Sequence, residues 1–346
     1  MKLKNILTFV TAATAVLGLA SCENQDKTFD DYEGGTSVYF AHQTPVRTLV
    51  LGRDSEVNND VDNSHHMHVY ATMGGAYEGR DITITTTIDN TLCDNLFFED
   101  GVTPVKPLPE SYYKIANNQI NYNGDHWGYL DVELTDAFFA DEQSAITTYV
   151  LPVLMKSQTG ADRIITGTPD VEGDVPSRTN TTLWKVPAKD YVLYCVRYIN
   201  PWTAKYLRRG TDVITQNGET TTEERKSANW ENEEVVEITT KGLHTAIFTV
   251  STKDAADNAV ACDLLLTIND NNECTVTSLT EGITATGTGK YTNDGEKLAW
   301  GNKDRDAIDL EYTVDYGFKT VKTTDRLVMQ TRGTNKLVEF STKYIN

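Results

Sequence analysis

Cysteine is scarce in this chain, and no two cysteines stand in a recognised pair motif. Of 346 residues only five are cysteine: Cys22, Cys93, Cys195, Cys262 and Cys274. None stands in Cys-x-x-Cys spacing, which excludes zinc-ribbon and dithiol redox readings. Basic residues are outnumbered, with 31 Lys and Arg against 50 Asp and Glu. Such a surface repels phosphate backbones and excludes nucleic acid as a partner. Beyond the first residues, no apolar run approaches the roughly 20 that a membrane-spanning helix needs. Helical periodicity is nearly absent. Also missing are a Gly-x-Ser-x-Gly elbow, a His-Glu-x-x-His helix and a phosphate loop. No catalytic residue is singled out, no cofactor is expected, and the chain is not read as an enzyme. Paired carboxylates about 5 to 10 Å apart hydrolyse glycosides. Nothing distinguishes one such pair among 50 acidic side chains.

What is present begins at the first residue. Lys2 and Lys4 precede a short apolar run, Ile6 to Leu19. That run is too short to span a bilayer and reads as a targeting segment, residues 1–21. It ends in Leu19-Ala20-Ser21-Cys22. The sequence resembles the bacterial lipobox, which implies cleavage before Cys22 and a lipid on that residue. The stretch Glu23-Asn24-Gln25-Asp26 and onward is polar and acidic, so residues 22–35 are expected to be a flexible tether. Acidic residues just after the lipid-bearing Cys resemble the surface-export signal of Bacteroidetes lipoproteins. The resemblance implies an outer-membrane lipoprotein exposed at the cell surface. Without residues 1–21, 29 basic side chains face 50 acidic ones, a net charge of −21. An acidic surface does not dock on anionic lipid, so the acyl group must do the anchoring.

The body of the chain alternates with period two. In Asp81-Ile82-Thr83-Ile84-Thr85-Thr86-Thr87-Ile88, the residues Ile82, Ile84, Thr86 and Ile88 share one face. That is a half-buried strand. Thr36–His42, Arg47–Gly52, His66–Met73, Tyr112–Ala116, Tyr129–Leu134 and Thr147–Lys156 read the same way. Asp136–Gln143 is predicted as a short helix capped by Thr135. About seven strands over residues 36–157 predict an immunoglobulin-like β-sandwich. Residues 158–185 are polar and turn-rich and are expected to be a linker. Strands resume at Tyr191–Ile199 and continue to Lys336–Thr342, joined by short turns. A meander of eight or more strands closes on itself to remove its edges. Residues 186–346 are therefore predicted to form a lipocalin-like antiparallel barrel, with a second sandwich as the alternative. The fold class is all-β. Folding the hairpin at Asn269–Asn272 would set Cys274 opposite Thr267 and not Cys262, so buried free thiols are expected.

Three stretches carry a family resemblance. Val38-Tyr39-Phe40-Ala41 with Thr48-Leu49-Val50-Leu51-Gly52 is the first. Thr135-Asp136-Ala137 leading into Tyr149-Val150-Leu151-Pro152-Val153 is the second. Together they resemble a Bacteroidetes lipoprotein domain of unassigned function typical of polysaccharide-utilisation loci. The third joins Gly287-Thr288-Gly289-Lys290-Tyr291, Trp300 to Asp306, Leu310-Glu311-Tyr312 and Thr324 to Val328. It resembles the lipocalin-like domain that follows in such proteins. The resemblance implies a surface glycan-binding or accessory lipoprotein of the SusE-like kind, working beside a SusC/SusD-type transporter. Some relatives carry the N-terminal domain ahead of a chitinase-like hydrolase. The all-β pattern leaves no room for that barrel here.

Sugar rings present C–H patches that stack on flat aromatic faces, and their hydroxyls bond carboxylates, amides and Arg. The five tryptophans are Trp127, Trp184, Trp202, Trp230 and Trp300. Trp202 follows Pro201 at the end of a strand, where binding residues collect. Tyr206, Arg208 and Arg209 come next, and Trp230 follows a long polar stretch. The carbohydrate-binding residues expected are Trp202, Trp230, Tyr206, Arg208 and Trp127. Trp300 leans toward a packing role. Against all of them stands the fact that large aromatics are usually packed. His66 and His68 share one strand face and are the weak metal candidates, with Asp60, Asp62 or His126 as a third ligand. Asx-rich turns need no calcium to explain them.

Three readings follow. The first is a non-catalytic glycan-binding surface lipoprotein, with an aromatic platform expected on the C-terminal domain. The second is a structural or adhesive lipoprotein that binds a protein partner in an outer-membrane complex. The third, the weakest, is a glycoside hydrolase without a recognised motif.

Overall fold

The computed structural model describes residues 30–333 and 338–345. The targeting segment and the lipidation residue Cys22 lie outside the described residues, as does most of the tether.

Seven main strands build the N-terminal half. They are β1 (Ser37–Tyr39), β2 (Pro45–Val50), β3 (His66–Gly74), β4 (Thr83–Ile88), β5 (Trp127–Leu134), β6 (Tyr149–Thr159) and β7 (Tyr191–Ile199). One sheet runs β1-β3-β5, with Arg163–Ile164 beyond β1 and Tyr113–Lys114 beyond β5. The other runs β2-β7-β6-β4, with Gln119–Asn121 beyond β4. Their inward faces share one core, with Val69 and Leu130 from the first sheet and Ile84, Leu151 and Val196 from the second. Two sheets over one core make a sandwich, the expected architecture. Parallel pairings join β2 to β7 and β1 to Arg163–Ile164.

The chain division differs from the sequence expectation. Tyr191–Ile199 was expected in the barrel, yet β7 sits in the middle of the second sandwich sheet, between β2 and β6. Its composition explains why. Val192, Val196 and Tyr198 enter the main core, while Tyr191, Leu193 and Cys195 enter a second cluster on the opposite face. A strand apolar on both faces belongs in the interior of a covered sheet. The expected linker is also stitched to the sandwich. Arg163 donates to the Gly34 carbonyl at 2.6 Å, and Arg178 bonds buried Asp190 at 2.9 Å. Thr168–Pro169 pairs with Trp184–Val186. The change of body falls at Asn200–Thr203. The expected helix is shorter, Asp136–Ala140, followed by a 3-10 turn at Glu142–Ala145. Thr135 makes no side-chain cap bond, and its hydroxyl donates to the Ser111 carbonyl instead.

The C-terminal half is a closed barrel. Its strands are β8 (Ala204–Gln216), β9 (Glu219–Arg225), β10 (Glu234–Gly242), β11 (Thr245–Lys253), β12 (Ala259–Ile268), β13 (Glu273–Ser278), β14 (Thr284–Glu296), β15 (Arg305–Asp315) and β16 (Thr320–Thr331). Eight of them, β8 and β10 to β16, form an antiparallel ring that closes where β8 pairs β16 from Lys205–Thr331 to Thr215–Thr320. β9 folds back on the second half of β8. Alternate residues point inward, and Phe248, Leu264, Leu266, Leu310 and Leu327 fill the lumen. The tail leaves the barrel. Val338–Glu339 pairs with β2, and Thr342–Tyr344 pairs with Leu96–Phe98. The last barrel strand expected at Lys336–Thr342 is thus part of the sandwich where it is described.

The four cysteines Cys93, Cys195, Cys262 and Cys274 are buried and free. Burial pushes the thiols of Cys93, Cys195 and Cys274 up to about 12, which keeps them inert. The hairpin register is one residue from expectation. Asn269 N–H bonds the Glu273 carbonyl, so Cys274 faces Ile268 rather than Thr267.

Several polar contacts clamp the two bodies, and Arg332 makes the largest set of them. Arg332 donates to the carbonyls of Leu51 (2.9 Å), Thr203 (3.2 Å) and Asn200 (2.7 Å). Asn200 itself bonds the carbonyls of Gly242 and Thr245. Arg53 grips Asp294 across the junction at 2.8 Å.

Candidate functional site

β3 and β5 lie side by side with their outer faces bare. On β3, Met67, Val69, Ala71 and Met73 point into the core, which sends His66, His68, Tyr70 and Thr72 outward. β5 alternates in the same way and sends out Trp127, Tyr129, Asp131 and Glu133. The register sets Thr72 opposite Trp127, Tyr70 opposite Tyr129 and His68 opposite Asp131. Gly128 permits this, since a Cβ there would meet the Asn121 carbonyl at 2.5 Å.

The outcome is an aromatic stripe. Tyr70 is 50% exposed, Trp127 46% and Tyr129 40%. Ring centroids are 5.4 Å apart for Tyr70 and Trp127, and 5.6 Å for Tyr70 and Tyr129. The His68 ring stacks on Tyr129 at 3.8 Å. Next to the stripe is a cavity of about 250 Å3, lined by Tyr70, Trp127, Pro45, Val192 and Tyr194. Tyr194 donates to the His68 carbonyl at 2.9 Å and fixes the edge of β3. Burial, then Tyr129, raises the Tyr70 phenol above its ordinary value. Burial lowers His68 despite the opposing pull of Asp131. The stripe offers flat faces, with imidazole and carboxylate groups at one end.

The metal candidates are committed elsewhere. His66 Nδ1 is 3.0 Å from Asp131, and His68 Nε2 is 3.4 Å from it. Two of the supposed third ligands are also taken. Asp62 is buried under Arg47 and accepts the Val50 N–H at 2.8 Å, while His126 Nε2 bonds the Tyr77 carbonyl. Among the described residues, no group of three His, Cys, Asp or Glu side chains is placed to hold a metal ion.

The tryptophan expected to lead does not reach solvent. Trp202 is 5% exposed and packs in the barrel core with Tyr206, which is 0% exposed. The Tyr206 hydroxyl donates to the Trp202 carbonyl at 2.8 Å. The physical reason is the turn before them, where Asn200 bonds β10 and β11 and draws Pro201-Trp202 under the barrel. Neither residue can stack on a sugar. Arg208 lies inside the barrel and bonds buried Asp325 at 3.0 Å. Trp230 sits on the outer wall, with the Arg209 guanidinium 3.5 Å from its ring centroid. It borders a groove of about 650 Å3 with Lys290, Asp309 and Arg326, but one face is taken by Arg209 and it packs on Leu207 and Val328. Trp184 is buried and donates to the Ser177 carbonyl. Of the sequence candidates, only Trp127 joins an open platform. Sequence reasoning missed Tyr70 and Tyr129. The signal was the alternation of His66-Met67-His68-Val69-Tyr70 and Trp127-Gly128-Tyr129-Leu130, read together.

Comparisons with known proteins follow this division. A family model described as an N-terminal domain matches residues 31–162, and one described as a domain of unknown function (DUF5627) matches residues 201–333. The second begins where the sandwich ends. No curated protein matches the chain. A crystal structure of a protein of unknown function from Bacteroides ovatus is 38% identical, with a TM-score of 0.85, over 91% of this chain and 100% of that chain. The ywiB protein from Bacillus subtilis overlaps at a TM-score of 0.21 with 9% identity, over 38% of this chain and 94% of that one. That overlap carries no argument. At this identity and coverage, the chain belongs to the same family as the Bacteroides ovatus protein.

Proposed function

We propose that this protein is a non-catalytic, lipid-anchored lipoprotein of the outer membrane that holds glycans at the cell surface for a polysaccharide-utilisation system. The observation that carries the reading is the stripe of Tyr70, Trp127 and Tyr129 on the outer face of the sandwich. Large aromatics bury area cheaply in a core, and three of them side by side in solvent mark a binding surface. Their spacing suits successive rings of a chain rather than one enclosed sugar. Carboxylates at Asp131 and Glu133, and a chain of net acidic charge, favour a neutral polysaccharide over a uronate or sulfated one. The family of the Bacteroides ovatus protein and the Leu19-Ala20-Ser21-Cys22 sequence support the anchored accessory role. A SusC/SusD-type complex is the natural neighbour. The platform lies on the N-terminal body, not on the barrel where the sequence reading expected it.

The test uses residues 23–346 as a soluble protein, run through gels cast with neutral plant, host and microbial polysaccharides. At least one should retard it. Trp127→Ala and Tyr70→Ala should each release it, while the core remains intact by circular dichroism. Retardation unchanged in both variants sinks the platform. Loss of all retardation, together with capture of an outer-membrane protein through the same two residues, moves the stripe to a protein interface.

A further inference from the structure

The open end of the barrel holds a buried ionic cluster. Asp325 is fully buried at the base of the mouth. It accepts from Arg208 Nε at 3.0 Å, from the Tyr312 hydroxyl at 2.8 Å and from Arg225 Nη1 and Nη2 at 3.0 and 2.9 Å. Arg225 also bonds both oxygens of Asp212, at 3.0 and 2.9 Å, and Thr323 donates to Asp212 at 2.7 Å. Below this layer the lumen is closed by apolar side chains, and the Arg208 guanidinium lies 5.4 Å from the Phe248 ring centroid. Above it opens a cavity of about 360 Å3, walled by Thr252, Tyr316 and Val321.

Four buried or half-buried charges are a costly floor. Apolar residues of the same volume generally serve stability as well or better. Clusters of this kind in a concavity are the usual sign of a site. The composition of the floor selects the ligand. Around the cavity Arg208, Arg225, Lys253 and Lys319 are balanced by Asp212, Glu223, Glu234 and the buried Asp325, so a charged guest would lose its hydration without gaining a net countercharge. A hydroxyl does better, since it donates to a carboxylate lone pair and accepts from a guanidinium N–H. Tyr316 and the valines of the wall offer the apolar surface that a sugar's C–H face needs.

We infer that the barrel mouth is a second binding site, for a small neutral hydroxyl-rich molecule of the sugar class. It extends the glycan-holding role to a chain end or released sugar. It uses none of the platform residues, so the two readings fail separately.

The experiment follows the Arg208 and Arg225 Nε–H resonances of residues 23–346 by NMR. Glucose, galactose, xylose and cellobiose are titrated into the millimolar range, with glucuronic and galacturonic acid as charged counterparts. At least one neutral sugar should shift both arginine signals and saturate. Thr252→Trp, which fills the cavity and leaves the ion network alone, should weaken that binding by about tenfold or more, or 1.4 kcal/mol. Ile214→Trp fills it from another strand of the wall should the first variant misfold. Trp127→Ala should change nothing at this site. No saturable shift with any neutral sugar overturns the inference, as does a shift that survives both filling variants. Tighter binding of the uronic acids overturns the neutral assignment.

Discussion

The sandwich and the barrel both pack aromatics inside, and they differ in what stands outside and in what accompanies the buried rings. The sandwich packs Phe40, Tyr122, Phe138, Phe139 and Tyr198 among aliphatic residues such as Val69, Leu130 and Val153, and sets Tyr70, Trp127 and Tyr129 outside. The barrel takes Trp202, Tyr206, Tyr291 and Tyr312 inside, with Arg208 and Asp325 among them. A barrel has a lumen that large side chains must fill, and their polar ends then need partners inside. Tyr291 finds Asp306 at 2.6 Å, and Tyr312 finds Asp325 at 2.8 Å. A two-layer sandwich has no lumen, so its aromatics outside the core are free for another task. The two bodies teach that an aromatic residue type points to binding only once its side of the sheet is known.

The sharpest way to break this contrast is to disturb the barrel's buried acid. Asp325→Ala leaves Arg208 and Arg225 without their shared acceptor. Removing one partner from a buried ionic cluster costs about 3–5 kcal/mol. Urea unfolding should report a loss of that size. The triple change Asp325→Leu, Arg208→Met and Arg225→Leu should recover most of it, because the unpaired charges go too. A small effect of Asp325→Ala alone would mean that the network is not desolvated.

The sandwich should respond the other way. Trp127→Ala touches one edge contact with Tyr70 and should cost at most about 1.5 kcal/mol of stability. Its effect on polysaccharide affinity should be about 1–3 kcal/mol, by analogy with stacking of bases on aromatic side chains. A variant that loses stability but keeps affinity would make the stripe a packing feature and erase the contrast.

Between the bodies, Arg332→Met removes donors to four carbonyls at the junction. Bonds from a charged donor are worth about 1.5–3 kcal/mol each, and water replaces part of the loss. The expected outcome is a single unfolding transition split in two, with faster hydrogen exchange at Asn200 to Thr203. One undivided transition in the variant would mean that the tail strands and the pairs Arg53–Asp294 and Lys241–Glu142 join the bodies without Arg332.

The sequence made parts of this legible and hid others for physical reasons. Period-two alternation located β4, β5 and the barrel meander, because each buries one face only. It misplaced β7, whose Tyr191-Val192-Leu193-Tyr194-Cys195-Val196 is apolar on both faces and gives no alternation to assign. Proximity in the chain then put it with the barrel. Trp202 misled because Pro201 reads as a strand end. Only the Asn200 side chain, bonding residues over 40 positions away, draws it inward. Trp127 was visible as a candidate, yet its companions were not. Tyr70 meets Tyr129 across a register that no local pattern fixes.

The smallest expected effect lies in the imidazole at the end of the stripe. His68 faces Asp131, His66 and Arg47, and its ring stacks on Tyr129. Burial lowers its pKa below the ordinary value of about 6.5, and the pull of Asp131 does not reverse this. The unfolded chain therefore binds the proton more readily than the folded one. The stability that neutral His68 lends is present above about pH 6.5 and declines as pH falls through the unfolded value toward the folded one. NMR titration of the His68 ring protons should give a midpoint below 6.5, and His68→Gln should flatten this part of the stability profile. A midpoint above 6.5 would mean that Asp131 outweighs burial. The end of the stripe would then carry positive charge at mildly acid pH, a cation stacked on Tyr129 as the Arg208 guanidinium lies by Phe248 in the barrel.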